Sequence, residues 1–583
     1  MRPMVYILQG RRMELVIMTE YERWRSILLD DPDLTRELES IEGNEQEIND
    51  RFYRELEFGT GGLRGIIGAG TNRINIYTVR KATQGLANYL NEKNKKASVA
   101  IAYDSRIKSD VFAKAAAEVL AANHITAYLY PQLMPTPALS FAVRYLRCDA
   151  GICITASHNP AKYNGYKAYG SDGCQVALEM ADAILYEINR LDIFKNVEHM
   201  DFDEAIAQGN IKIIGQEVVT AYLNAVQSES LLDCTDSGLK VVYTPLNGSG
   251  KMCVTHILDK IGIKDVTVVP EQSEPNGFFP TCPYPNPEFR EALQKGLELC
   301  ESIQPDLLVA TDPDCDRMGI AVRHNGRFEL LSGNEVGVLL LDFVARMRIA
   351  NGTMPNNPIA IKTIVSTDLT ESIAQEYGLT LQSVLTGFKY IGDRIASLEV
   401  KGEVNRFIFG FEESYGYLSG AYVRDKDAVN ASMLVCEMAV AYKKQGKTLV
   451  DAIEAIYKKH GYFLNDLMNF TFEGQDGMKK MQLIMETLRL HAPAEIAGFP
   501  VVGHSDYQTS KRVDAMVETK ITLPKSNVLE YRLENGSKLI VRPSGTEPKL
   551  KLYLSAKGKT REASQSVIDL LKDSANYLLS ISL

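Results

Sequence analysis

The sequence predicts an α/β protein: three similar domains with mixed, mostly parallel sheets, then a C-terminal α+β domain of another type. Three observations carry this. The chain has 583 residues, too many for one hydrophobic core when domains run to about 100–200 residues. The order strand, helix, strand, helix, strand occurs three times. The residues after 458 break that order.

In the first block, "ASVAIAY" reads as a strand, 110–123 as a helix, "ITAYLY" as a strand, 136–145 as a helix, and "GICITAS" as a strand ending at Ser157. The second block runs "LKVVYT", helix 250–261, "DVTVVP", helix 287–301, "PDLLVA". The third runs "NPIAIKTIV", helix 367–377, "LTLQSVL", helix 387–398, "NRFIFGF", and closes with helices over 427–444 and 448–460. The last part holds "YFLNDLMNFTF", a helix over 478–490, a hairpin "EYRLENGSKLIV" turning near Asn535-Gly536, and a final helix. The expected domains are therefore 1–213, 214–326, 327–458 and 459–583. Helical patterning begins near Thr19, so the start "MRPMVYILQGRRMELVIM" reads as an extension upstream of the fold. Arg11, Arg12 and Glu14 interrupt it, unlike a signal peptide.

Composition excludes several classes. At 45% hydrophobic and 24% charged residues, with no apolar run near 18 residues, a membrane span is not expected. The nine cysteines are scattered, with no C-x-x-C pair, which argues against disulfides or a zinc cluster and for a reducing cytoplasm. A net charge of −10 argues against general nucleic-acid binding. It leaves room for an anionic small molecule, since a local Arg and Lys cluster can dominate a cleft. The pattern carries no signal for oligomeric state.

In open α/β sheets, ligands sit beyond the carboxyl ends of strands, so the loops there were compared. Block one ends in Thr155-Ala156-Ser157-His158-Asn159-Pro160. That is either an ordinary turn or the seat of a nucleophilic or phosphate-carrying Ser157. G-x-S-x-G is absent. Neighbouring side chains in extended backbone point to opposite sides, so His158 is expected to face the substrate rather than take a proton from Ser157. Block two ends in "TDPDCDR": Asp312, Asp314 and Asp316 repel one another unless a cation neutralises them. Arg317 stands where an EF-hand needs glycine. Three hard acidic ligands favour Mg²⁺; a solvated turn and an aspartyl-phosphate phosphatase are the other readings. Block three ends in "GFEESYG", whose Glu412 and Ser414 suit sugar hydroxyls, with an exposed turn as the alternative. The terminal domain carries "RPSGTEPK": Arg542, Ser544, Gly545 and Thr546 would cradle a phosphate. "FGTGGLRG" misses dinucleotide-fingerprint spacing but would present Arg64 to a phosphoryl group. "GSGKM" at 248–252 lacks the P-loop's first glycine and hydroxyl, and Lys389 follows a strand where substrate groups should lie.

Together, in order, these loops resemble those of the α-D-phosphohexomutase superfamily, and closely its phosphoglucomutase branch, from about Phe58 to Tyr553. The resemblance implies four domains around a central active-site cleft, each giving one loop. It implies an isomerase that interconverts glucose 1-phosphate and glucose 6-phosphate through a glucose 1,6-bisphosphate intermediate, which also serves as activator. Ser157 would carry the phosphoryl group. Asp312, Asp314 and Asp316 would hold Mg²⁺ with a phosphoserine oxygen. Arg64 and Arg317 would steady the moving group, and His158 and Lys167 would be candidates for acid–base work. Glu412 and Ser414 would grip the sugar, and Arg542, Ser544, Gly545 and Thr546 the distal phosphate. Phe411 departs from the glycine of many members. Phosphopentomutase and phosphomannomutase remain alternatives within the family, and a Mg²⁺-dependent aspartyl-phosphate phosphatase outside it.

Overall fold

The computed structural model describes residues 16–27, 29–59, 61–472, 474–515, 517–544 and 549–581. Three α/β sheets follow one another along the chain, and all three share one plan. The first strand of each block is central, the second lies parallel on one side and the third parallel on the other. In the first sheet Ser98–Tyr103 sits between Thr126–Leu129 and Ala150–Ile154. In the second, Lys240–Thr244 sits between Asp265–Val268 and Leu307–Thr311. In the third, Ile359–Thr363 sits between Thr380–Val384 and Phe407–Glu412. Strands such as Leu307–Thr311 and Ile359–Thr363 are buried at every residue, because both faces of a parallel sheet are covered. Their β-branched and apolar runs, interrupted in these two only by Lys362, follow from that.

After each third strand the chain turns and returns antiparallel beside it. The return strands are Tyr163–Gly170, Met318–His324 and Gly416–Leu418. The strand and helix patterning predicts only three strands per block and carries no signal for these. "YNGYKAYG" carries glycine and charge, and Gly416–Leu418 has three residues, too few to show a period-2 alternation. The second sheet continues into Arg327–Leu331, which pairs with Met318–His324. The second sheet thus runs on to Leu331, a few residues past the domain end expected at 326.

The C-terminal unit is an eight-stranded sheet that begins with Tyr462–Thr471 and is antiparallel in every pairing. The hairpin of Leu529–Leu533 with Lys538–Pro543 turns through Glu534–Gly536. Gly536, at φ 81°, takes the left-handed position such a loop needs.

At the other end, helices over 16–26, Pro32–Ser40 and Glu45–Phe52 form a layer on the first unit. Trp24 is fully buried and meets Phe52, Tyr77 and Phe194 edge-on at 5.1–5.9 Å. Ile17 is buried in the same core. The described residues before Thr19 thus belong to the fold, while the preceding ones lie outside the described residues.

Candidate functional site

The three loops between a third strand and its return strand bear Ser157, the three aspartates, and Ser414, which follows Glu412 at the end of its strand. Each also holds one non-glycine residue in the left-handed region: Ser157 at φ 52°, Cys315 at φ 53° and Tyr415 at φ 65°. Such backbone costs of order 1 kcal/mol and persists only when its surroundings over-determine it.

Ser157 is buried. Its Oγ donates to Asp312 Oδ2 at 2.8 Å, so the first and second units meet at the serine. His158 Nδ1 lies 3.1 Å from the same Oγ. The expectation that His158 points away from Ser157 is therefore corrected: it assumed extended backbone, and the left-handed turn at Ser157 brings the ring back over the hydroxyl. Burial, then Arg317 and Arg64, push the His158 pKa well below the usual imidazole value, so the ring is neutral.

Asp312, Asp314 and Asp316 are buried, and one oxygen of each lies within 4.8 Å of the others. Asp312 Oδ1 accepts from the backbone N–H groups of Asp316 and Arg317. Asp314 Oδ1 and Asp316 Oδ1 are buried without a hydrogen-bond donor among the described residues. Orphaned carboxylate oxygens in a buried acidic triad fit a hard divalent cation. Burial, then Asp314 and Asp316, push the Asp312 carboxyl well above the usual range. Burial opposes ionisation of Asp314 as well, but the Lys167 ammonium overrides it and holds that carboxyl low.

Lys167 stands on Tyr163–Gly170, its Nζ 2.8 Å from Asp314 Oδ2 and 3.4 Å from Asp316 Oδ2. Burial works against its charge, but Asp314 and Asp316 outweigh it and raise its pKa. The strand reaches this place because Gly165 passes under Thr155, where a Cβ would lie 2.5 Å from the Thr155 carbonyl oxygen. Arg64, on the neighbouring strand Gly62–Ile66, extends Nη1 to 3.5 Å from Asn159 Oδ1.

Arg317 leaves the aspartate loop and donates from Nη1 to Glu288 Oε1 at 3.0 Å and to the Ser414 carbonyl at 3.1 Å. The aspartate loop and the loop after Glu412 are thereby tied together. Glu412 is buried and acts electrostatically on both Arg317 and Lys426. In the C-terminal unit Arg542 pairs in register with Lys551, and burial, then Arg542, lower the Lys551 pKa. Ser544 donates its N–H to the Lys549 carbonyl. Gly545 and Thr546 lie outside the described residues. Lys389 lies in the first turn of the helix Phe388–Val400, its ammonium 5.2 Å from the Tyr390 ring centroid.

Sequence reasoning missed four contributors. Lys426 Nζ lies 2.9 Å from Asp316 Oδ2, opposite Lys167; its "RDKD" context was a visible charge cluster. Glu288 holds Arg317. Thr136, from the first unit, donates its N–H to the Asp314 carbonyl and its Oγ1 proton to Asp314 Oδ2 at 3.0 Å. Arg106 clamps the Ser157 loop. The rejected "GSGKM" stretch also has a place. Ser249 donates N–H and Oγ to the Pro313 carbonyl, so it buttresses the aspartate loop.

Comparison with known proteins matches four models of one family. These are phosphoglucomutase/phosphomannomutase alpha/beta/alpha domain I at residues 55–193, domain II at 220–326, domain III at 332–460, and the C-terminal domain at 437–568. A phosphoglucomutase of Staphylococcus haemolyticus is 38% identical over 511 residues, 86% of this chain and 91% of that one. One of Staphylococcus saprophyticus is 40% identical over 516 residues, 88% and 92%. Among solved structures, the phosphoglucomutase parafusin of Paramecium in its open form superposes with TM-score 0.66 at 17% identity, over 91% of this chain and 96% of that one. A family protein from Burkholderia thailandensis gives 0.65 at 16%, over 90% and 97%. At such identities these structures speak for the fold alone.

Proposed function

The chain belongs to the phosphoglucomutase/phosphomannomutase family of α-D-phosphohexomutases, and on that premise we propose that it interconverts α-D-glucose 1-phosphate and glucose 6-phosphate in the cytoplasm. The observation that carries this is Ser157 Oγ bonded to Asp312 within a buried acidic triad. A nucleophile placed against a site for a divalent cation is what phosphoryl transfer requires.

Ser157 carries the phosphoryl group. A sugar hydroxyl attacks its phosphorus; the sugar O–P bond forms, the Ser157 Oγ–P bond breaks, and the hydroxyl proton leaves to a base. The glucose 1,6-bisphosphate so formed turns round in the cleft and returns its other phosphate to Ser157. Asp312, Asp314 and Asp316, with a phosphoserine oxygen, would hold Mg²⁺, which would supply charge neutralisation to the moving group. His158, kept neutral by burial and two arginines, suits the base. Lys167, held protonated by two aspartates, suits the acid and the neutralising charge. Arg64 and Arg317 steady the phosphoryl oxygens. Glu412 and Ser414 grip sugar hydroxyls, and Arg542, Ser544, Gly545 and Thr546 hold the phosphate that does not react. Lys389, and beyond the sequence reading Lys426 and Lys551, extend the positive lining. All nine cysteines are buried free thiols, which suits a reducing compartment. No helix among the described residues is long and apolar enough to cross a membrane.

A panel of glucose, mannose, ribose and deoxyribose 1-phosphates, assayed with Mg²⁺ and a trace of the matching bisphosphate, tests the reading. Glucose 1-phosphate should lead in kcat/KM; a lead by another sugar moves the assignment within the family. Label from the bisphosphate should survive hydroxylamine and vanish in Ser157→Ala. Hydroxylamine-labile label would instead mean an acyl phosphate and a hydrolase.

A further inference from the structure

Arg106 lies in none of the loops the sequence singled out. It follows the central strand Ser98–Tyr103 of the first sheet, and it is 3% exposed. Its Nη1 donates to the carbonyls of Pro160 at 3.0 Å and Tyr163 at 2.9 Å. Its Nη2 donates to the carbonyls of Ser157 at 2.5 Å and Asn159. Four carbonyls of one loop thus converge on one planar guanidinium, whose donors have fixed directions. Chain wrapped round such a template cannot stay regular, and Ser157 takes φ 52° within it.

The device has a brace. Arg106 Nε lies 3.4 Å from Asp104 Oδ2. The same Oδ2 accepts from Thr155 Oγ1 at 2.6 Å, and Thr155 Oγ1 accepts the Ser157 N–H at 2.8 Å. Carbonyl and amide of Ser157 are therefore both tied to the Asp104–Arg106 pair. The guanidinium also lies over Phe279 of the second unit, 5.1 Å from the ring centroid. Next to it Gly277 approaches so closely that a Cβ would lie 2.4 Å from the Ile107 nitrogen. The unit that carries Asp312 is seated on the same arginine that shapes the serine loop.

We propose that Arg106, braced by Asp104 and Thr155, is the positioning residue that registers the Ser157 carrier of the first unit against the aspartates of the second. The proposal rests on the reading of Ser157 as phosphoryl carrier. It touches no substrate; it acts by fixing where Oγ stands. A lysine at 106 keeps the charge but has no planar fork to serve four carbonyls.

The test uses full-length Arg106→Lys and Thr155→Val with Mg²⁺ and glucose 1,6-bisphosphate. Phosphate on Ser157 is counted by peptide mass spectrometry, and kcat and KM for glucose 1-phosphate are measured. The turnover per phosphorylatable Ser157 should fall about 100-fold in Arg106→Lys, the scale of a displacement near 1 Å, with KM nearly unchanged. Thr155→Ser, which keeps the hydroxyl, should restore what Thr155→Val loses. A merely structural role would reduce the amount of labelled enzyme but leave turnover per labelled serine at the wild-type value. That result in either variant overturns the proposal. Thr155→Val, which is isosteric, carries the test if Arg106→Lys does not fold. Absence of phosphate on Ser157 in the wild-type protein would instead sink the carrier reading itself.

Discussion

Ser157 Oγ and Asp312 Oδ2 are 2.8 Å apart and joined by the serine proton, although 155 residues separate them in sequence. The acid that receives the proton is also the one whose pKa stands well above the carboxylate range, through burial and then through Asp314 and Asp316. This relationship makes the stability of the site depend on pH and on metal.

The sign follows from the raised pKa. Asp312 binds its proton more tightly folded than unfolded, so its own contribution to the stability of the metal-free protein falls as pH rises above about 4, the unfolded carboxylate value. A divalent cation competes with that proton. Mg²⁺ should therefore raise the thermal midpoint, and more so at pH 8 than at pH 5. At a hundredfold excess over its Kd the gain is about 2.7 kcal/mol. Thermal unfolding in chelator and in Mg²⁺ across this range measures it. A gain that is flat with pH and survives Asp312→Asn would put the ion elsewhere.

Lys167→Met should destabilise the protein more without metal than with it. The ammonium compensates Asp314 at 2.8 Å, and removing one partner of a buried pair typically costs 3–5 kcal/mol, roughly, because the other charge remains. A bound cation would take over part of that compensation. Urea unfolding in chelator and in Mg²⁺ gives the two losses; equal losses would refute the lysine's role as counter-charge to the triad.

The three repeated blocks were legible because their central strands are covered on both faces and read as largely apolar runs, Lys362 in the interior of the third excepted. The loops were legible because each puts unusual residue types at a strand end: a serine beside a histidine, three alternating aspartates, two glutamates before a serine, and an arginine before two hydroxyls. What could not be read was contact between distant segments. Thr136 reaches Asp314 across 178 residues, and Arg106 reaches the Ser157 loop from another strand end. Neither has a local pattern, because each works through backbone carbonyls or a carboxylate supplied elsewhere. The orientation of His158 was misjudged for a related reason. The left-handed turn at Ser157 depends on Arg106 and Thr155, and a non-glycine residue announces no such conformation.

Asp427→Asn should gain stability relative to wild type as pH rises. Asp427 is fully buried and accepts from the hydroxyls of Tyr222 and Tyr422 and from the N–H groups of Val429 and Asn430. Burial nevertheless pushes its pKa up to about 6. Ionising it therefore costs folding free energy between about pH 4 and pH 6, amounting to about 2–3 kcal/mol at roughly 1.4 kcal/mol per pKa unit. Asparagine keeps an acceptor and has no proton to lose. The stability difference between variant and wild type should shift in the variant's favour by that amount between pH 4 and pH 7, by urea unfolding at both. A difference independent of pH would mean that Asp427 ionises in the folded protein as readily as in water.

Two carboxylates of the third unit reach the C-terminal unit: Glu454, paired with Arg561 at 2.6 Å, and Asp368 in the seam between the sheets. Asp368 is held by Lys362 at 2.6 Å and by Lys538, from the C-terminal sheet, at 2.9 Å. Ile364, Val365 and Leu385 pack there against Tyr507, Val528, Ile540 and Tyr553. Both lysines are buried, so the two possible lesions are unequal. Lys538→Met leaves Asp368 with Lys362 and adds an apolar side chain to an apolar seam. Asp368→Asn strands two buried ammonium groups, at about 3 kcal/mol or more. Asp368→Asn should therefore be the more destabilising, and it should expose the segment after His460 to limited proteolysis sooner than Lys538→Met does. If Lys538→Met proves the worse of the two, the seam is held by that lysine's own hydrogen bonds, such as the one to the Ile364 carbonyl at 3.5 Å, and not by sharing of the carboxylate.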